Sequence, residues 1–426
     1  MNIYIVIEHK KRELYSKLLL GFESVLKGNQ LYLGNVMPLL QKGLFKPGIV
    51  HLKSITPSNS RISEMKFLKK KGFMITSIDE EVGVIQNNTK YVNLRYGNST
   101  INLVDKLFVH GNFDYKNLIT KFPKNKKKII NSGNPRFDFW RRDFKNFFKD
   151  IYYITQKNYI LFSSNLNNIF TYQKLETNVS IQRKAGYFKR GISKKFLEGE
   201  RELSKKFLKK FLWFMNVISK NFKDLTIIIR PHPTENPLEW KRFIGNKKNV
   251  QIIGDGNLSD WITYSKCLVH GGCTSGLETV ARGKVALSIN SKTLKHGEEI
   301  PDLVSQKVQN ESQIIKKISR ALKSKSNVSI FRHKKFIKNR VINISNKPAY
   351  IKINETWENI GNKKLSGQNA NLLLKINFFS KSLVKSCIGI PYRNHKFKKF
   401  SKPEIKEFKK RIIKINSKFG DIKFEI

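Results

Sequence analysis

Leu225-Thr226-Ile227-Ile228-Ile229-Arg230-Pro231-His232-Pro233 decides how this chain is read. An unbroken apolar and β-branched run, too short for a helix and ended by prolines, reads as a strand buried on both faces, as in a parallel sheet. The prolines restrict the turn that follows and hold His232 in one direction. In open α/β sheets, ligands bind beyond the carboxyl ends of the strands. Arg230 and His232 therefore stand where a ligand is expected. A guanidinium fork beside an imidazole suits a phosphate; a plain turn with a solvated arginine is the structural alternative.

Outward from this run the pattern repeats. Further strands are expected at 159–162, 250–253, 267–269 and 285–289, with helical patterns at 197–221, 237–244, 258–265 and 275–282. The first third alternates in the same way. Apolar runs at 2–7, 30–34, 48–52, 73–78 and 107–110 are separated by helical patterns. One of these is 12–27, with Leu14, Leu18, Phe22 and Leu26 on one face; another is 60–71. Residues 137–150 read as a helix closing the first unit. Such alternation predicts an α/β chain of two Rossmann-like, doubly wound domains facing a cleft. The expected division is 1–150, 151–325, and a basic, helical C-terminal extension over 326–426. Within that extension, 403–416 sets Ile405, Phe408, Ile412 and Ile413 among lysines. This amphipathic helix either packs back onto the first domain or lies on anionic lipid.

A 39% hydrophobic and 12% aromatic content excludes a disordered chain, and 426 residues suffice for two cores. The 82 Lys and Arg against 32 Asp and Glu leave a formal charge of +50. That charge points to an anionic partner, or to drift toward Lys, Asn, Ile and Phe, whose codons are rich in A and T. No Arg-Gly or interleaved basic-aromatic module stands out, so nucleic acid is not the expected partner. Cys267, Cys273 and Cys387 match neither a zinc spacing nor a disulfide framework, which fits a reducing compartment. The N-terminus is apolar too briefly for a signal peptide. The segment 371–392 is broken by Lys375, Lys381 and Lys385, so no membrane span is expected. A cytoplasmic location follows, with peripheral association on the inner face of the plasma membrane as the variant.

Three more segments could carry chemistry. Cys267-Leu268-Val269-His270-Gly271-Gly272-Cys273-Thr274-Ser275-Gly276-Leu277-Glu278 is strand, glycine turn and helix. Gly271 and Gly272 allow close backbone approach. Thr274 and Ser275 can cap the helix and leave its first amides for an anion, and Glu278 could accept from ribose hydroxyls. A plain helix cap is the structural alternative. Asp79-Glu80-Glu81 follows the 73–78 run and precedes Val82 and Gly83. Crowded or buried carboxylates have raised pKa values and can act as a base; an exposed acidic loop is the alternative. In Ser132-Gly133-Asn134-Pro135-Arg136-Phe137-Asp138, Arg136 could reach an anion, or the segment could be structural.

Together with the opening Ile7-Glu8-His9-Lys10-Lys11-Arg12-Glu13-Leu14, these segments resemble, in order, the bacterial surface carbohydrate biosynthesis proteins. The resemblance spans roughly residues 1–300 and continues more weakly from His395-Lys396-Phe397. That family resembles GT-B glycosyltransferases, and its motifs are similar to those of bacterial sialyltransferases and Kdo transferases. The resemblance implies that one of Asp79, Glu80 and Glu81 deprotonates the acceptor hydroxyl. It implies that His232 and Pro233 form the nucleotide-phosphate site, and that Thr274 and Ser275 bind the donor phosphate. Val82 stands between the acids and Gly83 where the family pattern has glycine directly.

The expected activity is inverting, metal-independent transfer of a sugar, with a CMP-activated acidic sugar as one candidate, to a glycan or lipid-linked acceptor. It needs no cofactor beyond the nucleotide-sugar. A nucleotide-sugar 2-epimerase or a CDP-polyol phosphotransferase of similar shape stands beside it. A non-catalytic basic protein that binds nucleic acid or anionic membrane is the reading of another class.

Overall fold

The computed structural model describes residues 1–43, 45–81, 88–156, 158–170, 175–184, 186–295, 297, 299–323, 337, 339–344, 346–361 and 400–423. Val82, Gly83, Cys387, the 371–392 segment and His395-Lys396-Phe397 lie outside the described residues.

The first sheet comprises β1 (Asn2–Val6), β2 (Gln30–Gly34), β3 (Ile49–Leu52), β4 (Met74–Ile78), β5 (Lys106–Val109) and β6 (Ile129–Asn131). The second comprises β7 (Tyr159–Ser163), β8 (Thr226–Arg230), β9 (Val250–Ile252), β10 (Leu268–His270), β11 (Ala286–Ser288) and β12 (Gln306–Lys307). Their orders are β2-β1-β3-β4-β5-β6 and β12-β11-β10-β7-β8-β9, and every pairing is parallel. The apolar runs become these strands because helices cover both faces; Ile3, Tyr4 and Ile5 of β1 and Ile227, Ile228 and Ile229 of β8 are fully buried. In each sheet the chain winds outward one way and then returns to the other side of the first strand, β1 or β7. The crevice at that reversal is where an open sheet takes its ligand.

The segment 137–150 is not the single helix its composition suggests. One turn, Pro135–Asp138, is followed by a 3-10 stretch, Arg142–Phe148. Phe137, Phe139, Trp140, Phe144, Phe147 and Phe148 are all buried. At 100° per residue Phe139 would face away from Phe137, so no straight helix buries both against one core.

The described residues after 337 return to the first sheet. Helix Ala349–Ile360 packs on the first helix, Lys10–Leu26. Trp357 is fully buried and its indole donates to Thr76 Oγ1 at 3.1 Å. The N-terminus of Ala349–Ile360 is capped from far away: the Asp138 carboxylate accepts from the amides of Ala349 and Tyr350, each at 2.9 Å, and from Asn343 Nδ2 at 2.7 Å. Gly133 makes room for this clamp; its φ is +82°, and a Cβ there would lie 2.3 Å from Asn343 Oδ1. The last helix, Lys402–Ile412, buries Ile405, Phe408 and Ile412, with Phe408 against Phe22, Tyr15 and Phe147. Ile405, Phe408 and Ile412 are thus spent on protein, while Ile413 just past the helix is 36% exposed.

Arg411 of that helix joins the two halves. Its guanidinium meets both oxygens of Asp260, at 2.5 and 3.1 Å, and the Tyr15 hydroxyl at 2.9 Å. Asp260 belongs to helix Leu258–Tyr264 of the second half and Tyr15 to the first helix.

Candidate active site

Loops from the carboxyl ends of both sheets face each other across a cleft of about 680 Å³. Among the sequence candidates, Glu80, Glu81, Arg136, Arg230, His232, Pro233, Gly272, Thr274 and Glu278 line it; Asp79, Gly271 and Ser275 do not.

On the first-half wall the three acids have different partners. Asp79 is turned away from the cleft and held by Arg95 through two 2.7 Å hydrogen bonds. Glu80 is buried against Lys17 at 2.6 Å, both side chains 1% exposed. Burial pushes the Glu80 carboxyl up, but the Lys17 ammonium, with help from Arg136 and Arg12, outweighs it and holds it below the usual range. Glu81 is 42% exposed and meets Arg12 at 3.0 Å. Burial again acts upward, and Arg12, Arg95 and Lys53 together hold the carboxyl well below the usual range. The expected rise in pKa is therefore absent at Glu80 and Glu81, because each carboxylate faces a cation. Asn134 steadies the wall: its amide reaches Glu80 Oε2 at 3.4 Å and His110 Nε2 at 3.2 Å, and its backbone bonds to Asn343. Among the described residues the Arg136 guanidinium has no hydrogen-bond or ion-pair partner, and it lines the cleft.

On the opposite wall, β8 delivers His232. Its Nδ1 accepts the Thr234 amide at 3.3 Å and lies 2.7 Å from Thr234 Oγ1. A ring nitrogen that accepts an amide carries no proton, so the proton sits on Nε2. Burial, then the charges of Arg12 and Arg136, lower the imidazole to about 4, so it is neutral at pH 7. The turn is braced by Glu235, whose carboxylate accepts from Ser164 Oγ at 3.0 Å, the Leu166 amide at 2.5 Å and Trp240 Nε1 at 2.7 Å. Arg230 departs from expectation. Its guanidinium is buried and donates to the carbonyls of Ile253, Asp255 and Gly256, so it shapes the 253–256 loop instead of presenting a fork to a ligand.

The glycine turn after β10 is built around His270, a core residue. Its Nδ1 accepts from the Gly272 amide at 3.0 Å and its other nitrogen lies 2.8 Å from Ser305 Oγ. The close approach at Gly271 is made by protein: a Cβ there would sit 2.0 Å from the Phe207 ring. Gly272, with φ +83°, turns the chain into helix Thr274–Ala281. Neither Thr274 nor Ser275 caps that helix. Cys273 occupies the N-cap and makes no side-chain cap hydrogen bond, and Ser275 Oγ is buried with no partner among the described residues. The first amides of the helix thus meet the cleft without a side-chain acceptor, an arrangement that favours an anion. Glu278 lines the cleft while pairing with Arg282 at 3.3 Å.

Sequence reasoning did not single out Arg12, Lys17 or Glu235. Glu13 and Lys17, four apart and both buried on the first helix, were the available sign that its polar side faces other charges.

The chain superposes on a putative UDP-N-acetylglucosamine 2-epimerase from Listeria monocytogenes with a TM-score of 0.51 and 13% identity, over 83% of this chain and 94% of that one. The fold is GT-B-like. The UDP-GlcNAc 2-epimerase from Methanocaldococcus jannaschii matches at a TM-score of 0.48 and 14% identity, over 84% and 99% of the two chains. The wall teichoic acid polymerase TagF matches at 0.46 and 10%, over 84% and 88%. No family model and no curated protein matches the chain. At these identities the GT-B-like likeness is one of fold.

Proposed function

We propose that this GT-B-like chain is a glycosyltransferase of surface-polysaccharide assembly, moving a sugar from a nucleotide donor to a glycan or lipid-linked acceptor with inversion. One observation carries the reading. A neutral His232 and the start of helix Thr274–Ala281, which no side chain caps, line one wall, and Glu81 and Arg136 line the wall opposite. Donors for a leaving phosphate thus face a carboxylate for an incoming hydroxyl.

In the proposed reaction the acceptor oxygen bonds to the anomeric carbon as the bond to the donor phosphate breaks. Nε2–H of His232, the amide at Thr274 and the Arg136 guanidinium take the charge of the leaving phosphate. Glu81 takes the acceptor proton. A carboxylate held this low is a weak base, so transfer comes late, once the acceptor oxygen is already committed to the new bond. In this reading Glu80, neutralised by Lys17, positions the loop, and Glu278 accepts from ribose. This scheme calls on no metal. The order of motifs suggests a CMP-activated acidic sugar. The Listeria protein of similar fold is named for a UDP-sugar, and this supports a nucleotide-activated substrate in general.

The test is a melting-temperature panel of CMP, CDP, UDP, GDP and their sugar conjugates on the wild type and His232→Ala, followed by product analysis with and without acceptor. Selective stabilisation by one nucleotide, lost in the variant, is expected; saturation a hundredfold above Kd stabilises by about 2.7 kcal/mol. An epimerised nucleotide-sugar formed without acceptor would replace this reading with the epimerase. A preference for CDP with transfer of a polyol phosphate would replace it with the phosphotransferase. The absence of any nucleotide preference would leave a basic binding protein.

A further inference from the structure

The amphipathic helix that sequence offered as a lipid-binding element is spent on the core, but another basic face is open. Helix Lys194–Asn221 buries Phe207, Phe211, Phe214 and Ile218. On its opposite side, beyond Glu202, Lys206, Lys209, Trp213 and Lys220 are all exposed, at the spacing of one helical line. At about 1.5 Å per residue this line is roughly 21 Å long. From Leu203 through Lys223 there is no acidic residue. Helix Glu311–Lys323 packs alongside and buries Ile314 and Ile318 in the same core; Lys316, Arg320 and Lys323 are exposed, and no acid follows Glu311 within it. The two helices form one layer on one face of the second sheet, so their lysines share an outer plane.

We propose that this plane is the surface by which the protein lies on an anionic lipid bilayer. Charge sets the sign of the partner, and the aromatic sets its class. Trp213, 36% exposed in the midst of lysines, is the residue that settles at the headgroup level, while lysine stems bury their methylenes and keep the ammonium among lipid phosphates. A strand of nucleic acid would favour a groove with several stacking rings; two parallel helix faces with one indole fit a plane. The inference gives the proposed lipid-linked acceptor its location and rests on that reading for its purpose. Binding is read without turnover, so the two can fail separately.

The experiment is co-sedimentation of the full chain with vesicles of phosphatidylcholine alone and of phosphatidylcholine mixed with phosphatidylglycerol, at physiological salt. Three variants accompany the wild type: K206E/K209E/K220E, W213A, and a control, K66E/K70E/K71E, on the exposed side of Asn59–Lys70 and its next residue. Unchanged melting temperatures verify folding. The wild type is expected to bind only the anionic vesicles. The first variant should lose at least about 100-fold in partitioning, on the order of fivefold per lysine. W213A should lose a smaller part, and the control should stay within about twofold. The proposal is overturned if the wild type fails to bind, if the control loses as much as the outer-face variant, or if single-stranded RNA displaces the vesicles from the same face.

Discussion

Arg411→Met is the sharpest test of how the two halves are held together. Arg411 is 1% exposed. Its Nε donates to the Phe147 carbonyl at 2.8 Å, its guanidinium lies 4.2 Å from the Phe147 ring centroid, and its two other nitrogens clasp Asp260. Burial alone would lower the guanidinium pKa, but the Asp260 carboxylate outweighs it and raises the value. Methionine keeps most of the stem and little cavity opens. What remains is a carboxylate whose side-chain hydrogen bonds among the described residues come from the hydroxyls of Tyr15 and Tyr153. Removing one member of a buried ion pair costs about 3–5 kcal/mol, chiefly because the other charge is stranded. Urea unfolding followed by circular dichroism and by tryptophan emission should show that loss. Adding Asp260→Asn should recover much of it, since the stranded charge is gone. A single variant within about 1 kcal/mol of wild type, or a double variant no better than the single, would refute the stranded-charge account.

Other expectations follow from the same geometry. Burial pushes Asp114, Asp138 and Glu235 up to about 7, and lowers His110 and His232 to about 4 and His270 to about 3. The carboxyls bind their protons more tightly folded than unfolded, so their stabilisation is full at low pH and fades as pH rises through 7. The histidines contribute above 6.5 and lose that contribution as pH falls through about 4. Between pH 6.5 and 7.5 the three carboxyls lose more stabilisation than the three histidines still gain, so the melting temperature should fall across that window; a rise would contradict the assignment. Gly133→Ala combines a left-handed φ with a collision at Asn343 and should cost about 1–3 kcal/mol. Limited proteolysis should then reveal new cleavage within 343–350. Arg230→Gln strands the carbonyls of Ile253 and Gly256, while that of Asp255 keeps the Trp261 indole, and should lower stability by about 1–3 kcal/mol. Unchanged stability with weakened phosphate binding would restore Arg230 to the ligand.

The strands were legible because a sheet covered on both faces needs continuous apolar runs, and 225–229 or 73–78 can be little else. The short strands β6 and β12 lack such runs, and the bend at Phe139 depends on a core assembled from distant parts. For the site, position was legible but direction was not. Asp79, Glu80 and Glu81 are neighbours in sequence, yet Arg95, Lys17 and Arg12 draw them three ways. Those partners lie on other elements and leave no local trace. Arg230 was placed correctly at the end of its strand, but its guanidinium follows a loop more than twenty residues on. His232 was readable, since the prolines around it and Thr234 beside it are local.

The clamp of Asp138 on residues 343–350, and of Arg411 on Asp260, imposes an order on synthesis. A ribosome releases the first helix and its aromatic side early, whereas Ile405, Phe408 and Ile412, which cover that side, emerge roughly 260 residues after Phe148. At 5–20 residues per second the nascent first half waits about 13–50 s for its own cover. During that interval Phe22, Phe147 and Phe148 are a sticky surface in a crowded cell, so chaperone demand should fall on the growing chain rather than on the finished one.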